Sequence, residues 1–345
     1  MKEYKSMKLK RYKGNPILSP NPANVWESLV TTNPGAWYDE EKKQVLLLYR
    51  AAGKDVAHTV HLGLAVSKDG YNFRRVSRKP VFSPSKDGFD AGCIEDPRIV
   101  KMGDYYYITY ACRASAPGQY WLPMEKNKHR GEPCPPDYPH SLRSNWTSSG
   151  LALTKDFKSF RRAGRLTNPM FDDRDVILFP EKIDGRYVMI HRPMQWVGKK
   201  YGTERAAMWI SYSDDLLNFR ESKLLAKNKY DWECQKIGGS TPPLKTKHGW
   251  LLLYHGVGPD WYYRVGAMLL DLKDPSRILG RTPDWIMQPE ETYETKGLYN
   301  GVVFPCGNVV IDGTLFVYYG GADQYVGVAT CSVDALVKHL RKCPA

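Results

Sequence analysis

No apolar run in this chain of 345 residues is long enough to cross a bilayer as a helix. The longest, such as residues 45–49 and 250–254, fall far short of the roughly 20 residues required. Cysteine pairs at metal-binding spacing are also missing. The 7 cysteines (Cys93, Cys112, Cys134, Cys234, Cys306, Cys331 and Cys343) are odd in number and widely spaced, with no C-x-x-C, which argues against a disulfide scaffold or a zinc site. There is no P-loop, no G-x-S-x-G elbow and no H-E-x-x-H, so three common routes to phosphate binding, acyl transfer and metal hydrolysis are set aside. Helical signal is scarce. Only residues 331–341, with Leu336, Val337 and Leu340 on one face, read as a helix, expected to pack at the end of the fold. The N-terminus has charge but no apolar core, so no signal peptide is expected and the cytoplasm is the default address.

What the chain does have is aromatic and loop-forming residues. It carries 23 Tyr, 10 Trp, 29 Gly and 24 Pro within an ordinary globular balance of 42% hydrophobic and 25% charged residues. The net charge is +13. The cations are scattered, with one dense stretch at residues 2–13. They read first as solubility charge and next as a sign of a small anionic ligand; no zinc-finger, basic-zipper or RNA-binding signature appears.

The strongest organisational signal is an internal repeat. VLLLYRAAG from Val45 is followed by HLGLAVSKDGYNFRR from His61. YYYITYACR from Tyr105 is followed by SGLALTKDFKSFRR from Ser149. RYVMIHRP, GWLLLYHGV and TLFVYYGGAD open three further units at Arg186, Gly249 and Thr314. Each unit pairs short apolar strands that end in a polar turn, the pattern of antiparallel β-structure. Five units predict an all-β chain, a five-bladed β-propeller forming a single domain over residues 1–345 with a short C-terminal helix. A β-sandwich is the competing fold. Residues 114–148 read as a proline-rich insertion of the kind that serves as a lid, binding loop or subunit contact.

In a propeller, residues from separate units converge on a central pocket, so the opening segments of the units are read together. Asp96, in Glu95-Asp96-Pro97-Arg98, precedes a proline and is expected to be extended. Partial desolvation would raise its pKa and suit a general acid; a salt bridge with Arg98 is the plainer alternative. Arg174, Arg192 and Lys236 read as cations on three different units. If they converge they require an anion between them; otherwise each pairs with a nearby carboxylate such as Asp173, Asp175 or Glu233. His191 and His255 end inner strands and suit hydrogen-bonded core positions. Trp37, Tyr120, Trp121, Trp196 and Trp261 are candidates to stack on sugar rings, against the alternative of packing within the sheets.

Taken together, several segments resemble glycoside hydrolase family 130, the β-mannoside phosphorylases and β-mannosidases. They are Asn33 and Arg50, EDPRIV around Asp96, RDVILFPEKIDGRYVMIHRP from Arg174, WECQKIGGSTPP from Trp232, GWLLLYHGV from Gly249, LLDLKDPSRIL from Leu269, YETKG from Tyr293 and YYGGAD from Tyr318. The resemblance spans roughly residues 15–337 and implies a five-bladed propeller. It implies Asp96 as proton donor, and Arg174, Arg192, Lys236 and His255 around a phosphate. Asn33, Arg50 and Asp323 would line the mannosyl subsite or neighbour the phosphate. Tyr120 and Trp121, the stacking candidates of the insertion, are expected to contact the substrate as well. No metal or organic cofactor is implied. Inorganic phosphate is the co-substrate, an oligosaccharide is the substrate, and a homo-oligomer is a possible assembly; neither nucleic acid nor membrane is expected as a partner. Four departures from the family pattern are visible. Asp175 stands where Asn is usual, Ser240 replaces a Gly, Glu95 stands where Tyr is common, and the 114–148 insertion is longer than usual, which is expected to reshape the acceptor side of the pocket.

The three cations favour phosphorolysis with inversion, giving α-mannose 1-phosphate. An inverting hydrolase needs a carboxylate base instead, for which Glu233, Glu291 and Glu294 are available. A non-catalytic sugar-binding propeller is a further alternative, disfavoured because a lectin needs no acid facing a cation cluster.

Overall fold

The structure is a computed structural model that describes residues 7–123, 126 and 144–345. Most of the predicted insertion, including Pro133, Cys134, Pro135, Pro136 and Pro139, lies outside the described residues, as do Lys2 and Lys5 of the basic stretch.

The chain is all-β, with two short helices among the described residues. After β1 (Lys10–Arg11), the first antiparallel meander runs β2 (Val30–Asp39), β3 (Gln44–Ala52), β4 (Val60–Ser67) and β5 (Arg74–Arg75). The second comprises β6 (Cys93–Met102), β7 (Tyr105–Arg113), β8 (Ser148–Thr154) and β9 (Arg161–Arg165). It joins the first through a single parallel pair, Val60 with Cys93. The third is β10 (Asp173–Leu178), β11 (Tyr187–Pro193), β12 (Met208–Ser213) and β13 (Arg220–Ala226). In the fourth, β14 (Lys236–Gly239) and β15 (Leu244–Thr246) both pair with β16 (Gly249–Val257), followed by β17 (Tyr263–Leu270) and β18 (Ile278–Arg281). In the fifth, β19 (Val303–Ile311), β20 (Thr314–Gly321) and β21 (Tyr325–Ser332) take β1 as their outer strand. Helix α1 (Thr292–Thr295) precedes that sheet. Helix α2 (Val333–Leu340) follows it, capped by the Ser332 hydroxyl and burying Leu336, Val337 and Leu340 as the sequence predicts.

One device recurs in four of the five meanders and accounts for the repeat. A tyrosine near the end of the second strand lies flat over a glycine on the third: Tyr49 over Gly63, Tyr110 over Gly150, Tyr254 over Gly266 and Tyr319 over Gly327. A Cβ on any of these glycines would come within 2.5 Å of the ring, so only glycine admits the tyrosine. The ring is buried, and its hydroxyl therefore needs a partner. A buried acid supplies it, and an arginine from the outer strand neutralises that acid. The sets are Glu27 with Arg75, Asp90 with Arg162, Glu233 with Arg281 and Glu294 with Arg11. The third meander departs from the rule. His191 replaces the tyrosine and Trp209 the glycine, and His191 is satisfied by Asp173 at 2.7 Å and Ser211 at 2.8 Å.

The polar turns also match expectation. In Ser67-x-Asp69, Thr154-x-Asp156 and Ser213-x-Asp215, the Asp carboxylate accepts backbone N–H groups two and three residues on, which locks the turn between the third and fourth strands. Strand β2 touches β6 and β19, β10 touches β7 and β14, and β19 also touches β16 and β17, so the first strands of the meanders gather at one centre.

Candidate active site

The first strands of three meanders are broken at corresponding places. The register shifts between Thr32 and Gly35 in β2, between Glu95 and Arg98 in β6, and between Arg174 and Ile177 in β10. At each break one residue takes a left-handed backbone: Asn33 at φ 43°, Asp96 at φ 50° and Asp175 at φ 56°. A bulge re-aims the side chain it carries, and such strain is held at functional sites. Here it turns three polar side chains into one cavity of about 390 Å³, within the range of small-ligand sites. Asp96 is therefore not extended, as its position before Pro97 predicts; the bulge overrides the local preference.

Asp96 Oδ1 accepts hydrogen bonds from Asn33 Nδ2 at 2.8 Å and Arg50 Nη1 at 3.3 Å. The same Arg50 nitrogen lies 3.4 Å from Glu95 Oε2. Burial raises the Asp96 pKa above its usual value; Arg50 opposes this and Glu95 reinforces it. Glu95 moves the other way, because Arg50 and Arg113 outweigh the burial that disfavours its charge. The alternative reading of Asp96, a salt bridge with Arg98, is not formed at the carboxylate. Arg98 donates to the backbone carbonyls of Asp96 and Ser240, both at 2.9 Å. Asp323, at φ 54° in the turn after β20, accepts from the Tyr120 hydroxyl at 3.5 Å, and burial raises its pKa. Tyr120 also reaches Arg50 Nη2 at 3.4 Å.

The cations occupy the opposite side of the chemistry. Arg174 and Arg192 are direct cross-strand partners on β10 and β11, so the three cations come from two sheets and not three. Arg174 grips Asp172 with both forks at 2.6 and 2.7 Å, while its side chain keeps 37% exposure to the cavity. Arg192 holds Asp175 at 2.7 Å through Nε. Burial opposes the charge on Asp175, but Arg192 and Arg98 hold its carboxyl well below the usual carboxylate range. Lys236 hydrogen-bonds the Tyr263 hydroxyl and makes no ion pair among the described residues. Burial, together with Arg192 and Arg174, pushes its ammonium down to about 7.

Asn33, Arg50, Asp96, Tyr120, Arg174, Arg192, Lys236 and Asp323 all line this one cavity, as the sequence predicts. Two predicted site residues do not. His255 is fully buried behind Asp175, with Nε2 3.7 Å from that carboxylate, and burial pushes its imidazole down to about 3, so a neutral imidazole backs the cavity wall instead of lining it. Trp121 turns away to pack edge-on against buried His58 at 4.6 Å. The other stacking candidates lie elsewhere: Trp37 packs on Tyr106, Trp196 packs on Trp209, and Trp261 is exposed. The three acids proposed as a hydrolytic base are also absent from the lining. Glu233 and Glu294 belong to the tyrosine–acid–arginine sets, and Glu291 precedes α1 as its N-cap.

The sequence reading overlooked Arg113, Thr147, Tyr263, Tyr299 and Phe304, noted Glu95 only as a departure, and named Asp175 both as a departure and as a carboxylate partner for the cations, which it is for Arg192; all seven line the cavity. Register could have found Tyr263, because Lys236 pairs with Val257 and Val257 pairs with Tyr263. Ser240 is buried; its carbonyl takes the Arg98 bond, and its hydroxyl lies 3.5 Å from His255 Nδ1.

A polar cavity with a raised-pKa carboxyl on one wall and a cluster of cations on another suits an enzyme that pairs a general acid with an anion, and similarity to known proteins makes that enzyme carbohydrate-active. The chain belongs to glycoside hydrolase family 130. The family model, described as beta-1,4-mannooligosaccharide phosphorylase, matches residues 7–128 and 141–342. A 1,2-beta-oligomannan phosphorylase of Thermoanaerobacter sp. (strain X514) is 38% identical over 94% of this chain and 97% of its own length. A beta-1,2-mannobiose phosphorylase of the same organism is 36% identical over 93% and 96%. Among solved structures, the beta-1,2-mannobiose phosphorylase of Listeria innocua in complex with beta-1,2-mannobiose superposes with a TM-score of 0.77 at 26% identity, covering 97% of this chain and 100% of that one.

Proposed function

We propose that the protein is an inverting phosphorylase of β-mannosides, with β-1,2-linked manno-oligosaccharides as the first substrates to test. The observation that carries this reading is that Arg174, Arg192 and Lys236 line the same cavity as Asp96. The identity to two phosphorylases named for β-1,2-mannosides supports the choice of linkage.

In this reading Asp96 gives its proton to the glycosidic oxygen as the bond to C1 breaks. Hydrogen phosphate, held by the three cations, attacks C1 from the other face, and a C1–O–P bond forms with inversion. The proton that hydrogen phosphate brought leaves the new ester and restores Asp96, so the net reaction consumes no proton. Phosphate arrives already nucleophilic, and no carboxylate base is needed. Asn33 and Arg50 orient the Asp96 carboxyl, while Asp323 and Tyr120 offer acceptors and a donor to sugar hydroxyls.

The five meanders are proposed to be the blades of one propeller domain spanning the chain, with β1 completing the last blade. The gathering of β2, β6, β10, β14 and β19 supports that arrangement. A cytoplasmic site of action fits a phosphate-consuming reaction. The described residues contain no helix long and apolar enough to cross a membrane.

The decisive assay incubates the protein with β-1,2- and β-1,4-mannobiose, with and without phosphate, and resolves the products by anion-exchange chromatography. Mannose 1-phosphate formed only with phosphate is the expected result. Free mannose at equal rates in both would overturn phosphorolysis.

A further inference from the structure

Glu95 and Asp96 are consecutive residues at the bulge of β6, and their carboxylates converge on one nitrogen of Arg50, at 3.4 and 3.3 Å. Both contacts are long for ion pairs, as expected when one N–H group is divided between two acceptors. Arg50 is buried, and its Nε has no partner among the described residues. Its guanidinium is thus committed to this pair on one side and to the Tyr120 hydroxyl on the other. Left alone with Asp96, a buried arginine would draw the carboxyl into its charged form, which is useless to a general acid.

We propose that Glu95 is the positioning residue for the catalytic proton: by occupying Arg50 as a carboxylate, it keeps Asp96 protonated. The inference rests on the reading of Asp96 as the acid, and it gives a role to a residue that departs from the family pattern. Two carboxylates sharing one cation separate their titrations, with the better-paired group ionising first. Glu95 has a second cation near it, because Arg113 lines the same cavity and, with Arg50, favours its charged form.

The other groups around the pair act in both directions. Asn33, on β2, donates to Asp96 and favours its charged form, as does the charge of Arg98, although Arg98 spends its nearest bonds on backbone carbonyls. The Cys93 thiol, on β6, bonds Glu95 and favours the charge there. On β19, Cys306 is a buried thiol held neutral. Asp323, beyond β20, has the same sign of charge as Glu95 and is bonded to Tyr120, not to the shared nitrogen. His58, behind Arg50, is pushed down to about 4 by burial and by Arg50, and is neutral at the working pH.

The test compares wild type with Glu95→Gln and Glu95→Asp in two measurements. The first is the pH profile of kcat/KM for phosphorolysis of β-1,2-mannobiose. Glu95→Gln leaves Arg50 to Asp96 alone, so the alkaline limb is expected to move down by about one pH unit or more. Glu95→Asp, which keeps the charge, is expected to restore the limb. A limb that stays in place in Glu95→Gln while kcat merely falls would overturn the proposal and leave Glu95 a structural residue. The second needs no turnover: 13C NMR of carboxyl-labelled aspartate and glutamate in the wild-type protein, with Asp96 assigned by Asp96→Asn. Glu95 is expected to titrate below its ordinary pH and Asp96 above it, and the reverse order would sink the idea. Absence of activity on every β-mannoside would overturn the proposed function but leave the NMR result to decide this point.

Discussion

Asp175 Oδ2 lies 2.7 Å from Arg192 Nε and 2.6 Å from its Nη2, so the Arg192 guanidinium is already neutralised from within the protein, as that of Arg174 is by Asp172. A phosphate bound there competes with an internal carboxylate. Asp175→Asn keeps the size and an acceptor oxygen but removes the charge. At an effective dielectric of 20, a unit charge about 4 Å away is worth a few kcal/mol before rearrangement. The KM for phosphate is therefore expected to fall by about tenfold. The phosphate-free protein should melt at lower temperature, because Arg192 loses its counter-charge, and added phosphate should restore the loss. Initial-rate kinetics and thermal melts with and without phosphate check both halves. A rise in phosphate KM would mean that Asp175 orients Arg192 more than it neutralises it.

Asp96→Asn removes the proton while preserving the oxygen that Asn33 and Arg50 hold. The kcat for phosphorolysis is expected to drop by about 10²–10⁴, the usual span for a general acid, with little change in KM for the oligosaccharide. Steady-state kinetics on one β-mannoside suffices. A parallel rise in KM with kcat intact would make Asp96 a binding residue only.

Much of this architecture was legible because the sheets repeat a rigid packing rule. A large aromatic at the end of one strand and a glycine on the next write the same signature at Tyr49, Tyr110, Tyr254 and Tyr319. The residues turned inward by the bulges were harder to place. Asn33 and Asp96 both precede proline, and pattern alone predicts extended backbone there, whereas the structure holds both at positive φ. Depth is also invisible in one dimension. His255 and Arg192 each follow the core position of a second strand, yet Asp175 and the close approach of Gly238 put His255 behind the cavity wall and leave Arg192 on it. Trp121 was misplaced for a related reason. Of two adjacent aromatics, only Tyr120 faces the cavity, and the other serves His58.

Lys236 links phosphate binding to pH. Its pKa falls from 10.5 in the unfolded chain to about 7 in the fold. Between those values the unfolded chain binds the extra proton. The Lys236 contribution to stability therefore grows as pH rises from about 7 towards 10.5 and is lost as pH falls through 7. Bound phosphate reverses this preference, because it favours the ammonium. The thermal shift caused by a fixed concentration of phosphate dianion is expected to be largest near pH 6.5 and to shrink above pH 8. Lys236→Met should flatten this dependence, and an unchanged pH profile in that variant would remove Lys236 from the phosphate site.

Glu233 tests the hydrolytic alternative through stability. It is fully buried and accepts from Tyr254 at 2.9 Å and from Arg281, with its other bonds spent on the backbone N–H groups of Lys229 and Tyr230. Glu233→Gln leaves Arg281 without its charge partner, and the expected cost is about 3–5 kcal/mol. Chemical denaturation measures it. The kcat of the fraction that remains folded is expected to match wild type, whereas loss of phosphate-independent turnover would point to a base at Glu233.

Gly238 is the narrowest point of the cation wall. A Cβ there would lie 2.3 Å from Asp175 Oδ2, 2.5 Å from His255 Cε1 and 2.8 Å from Arg192 Nε. His255 is fully buried and has no room to retreat, whereas Asp175 and Arg192, clasped to each other, are open only on the cavity side. Gly238→Ala must therefore push Arg192 and Asp175 towards the cavity. Glycine is needed here for close approach and not for its backbone freedom. By contrast, a Cβ on neighbouring Gly239 meets first the terminal methyl of Ile177, which can rotate aside. The expected outcome is a phosphate KM at least about tenfold higher in Gly238→Ala, an effect of the size seen when positioning groups shift by a fraction of an ångström. The KM for the oligosaccharide should be nearly unchanged, because Asn33, Arg50 and Asp96 lie on other sheets. Gly239→Ala should alter both constants far less. Equal damage to the two KM values in Gly238→Ala would mean that the strain spreads through the whole cavity and that the cation wall is not a separable phosphate site.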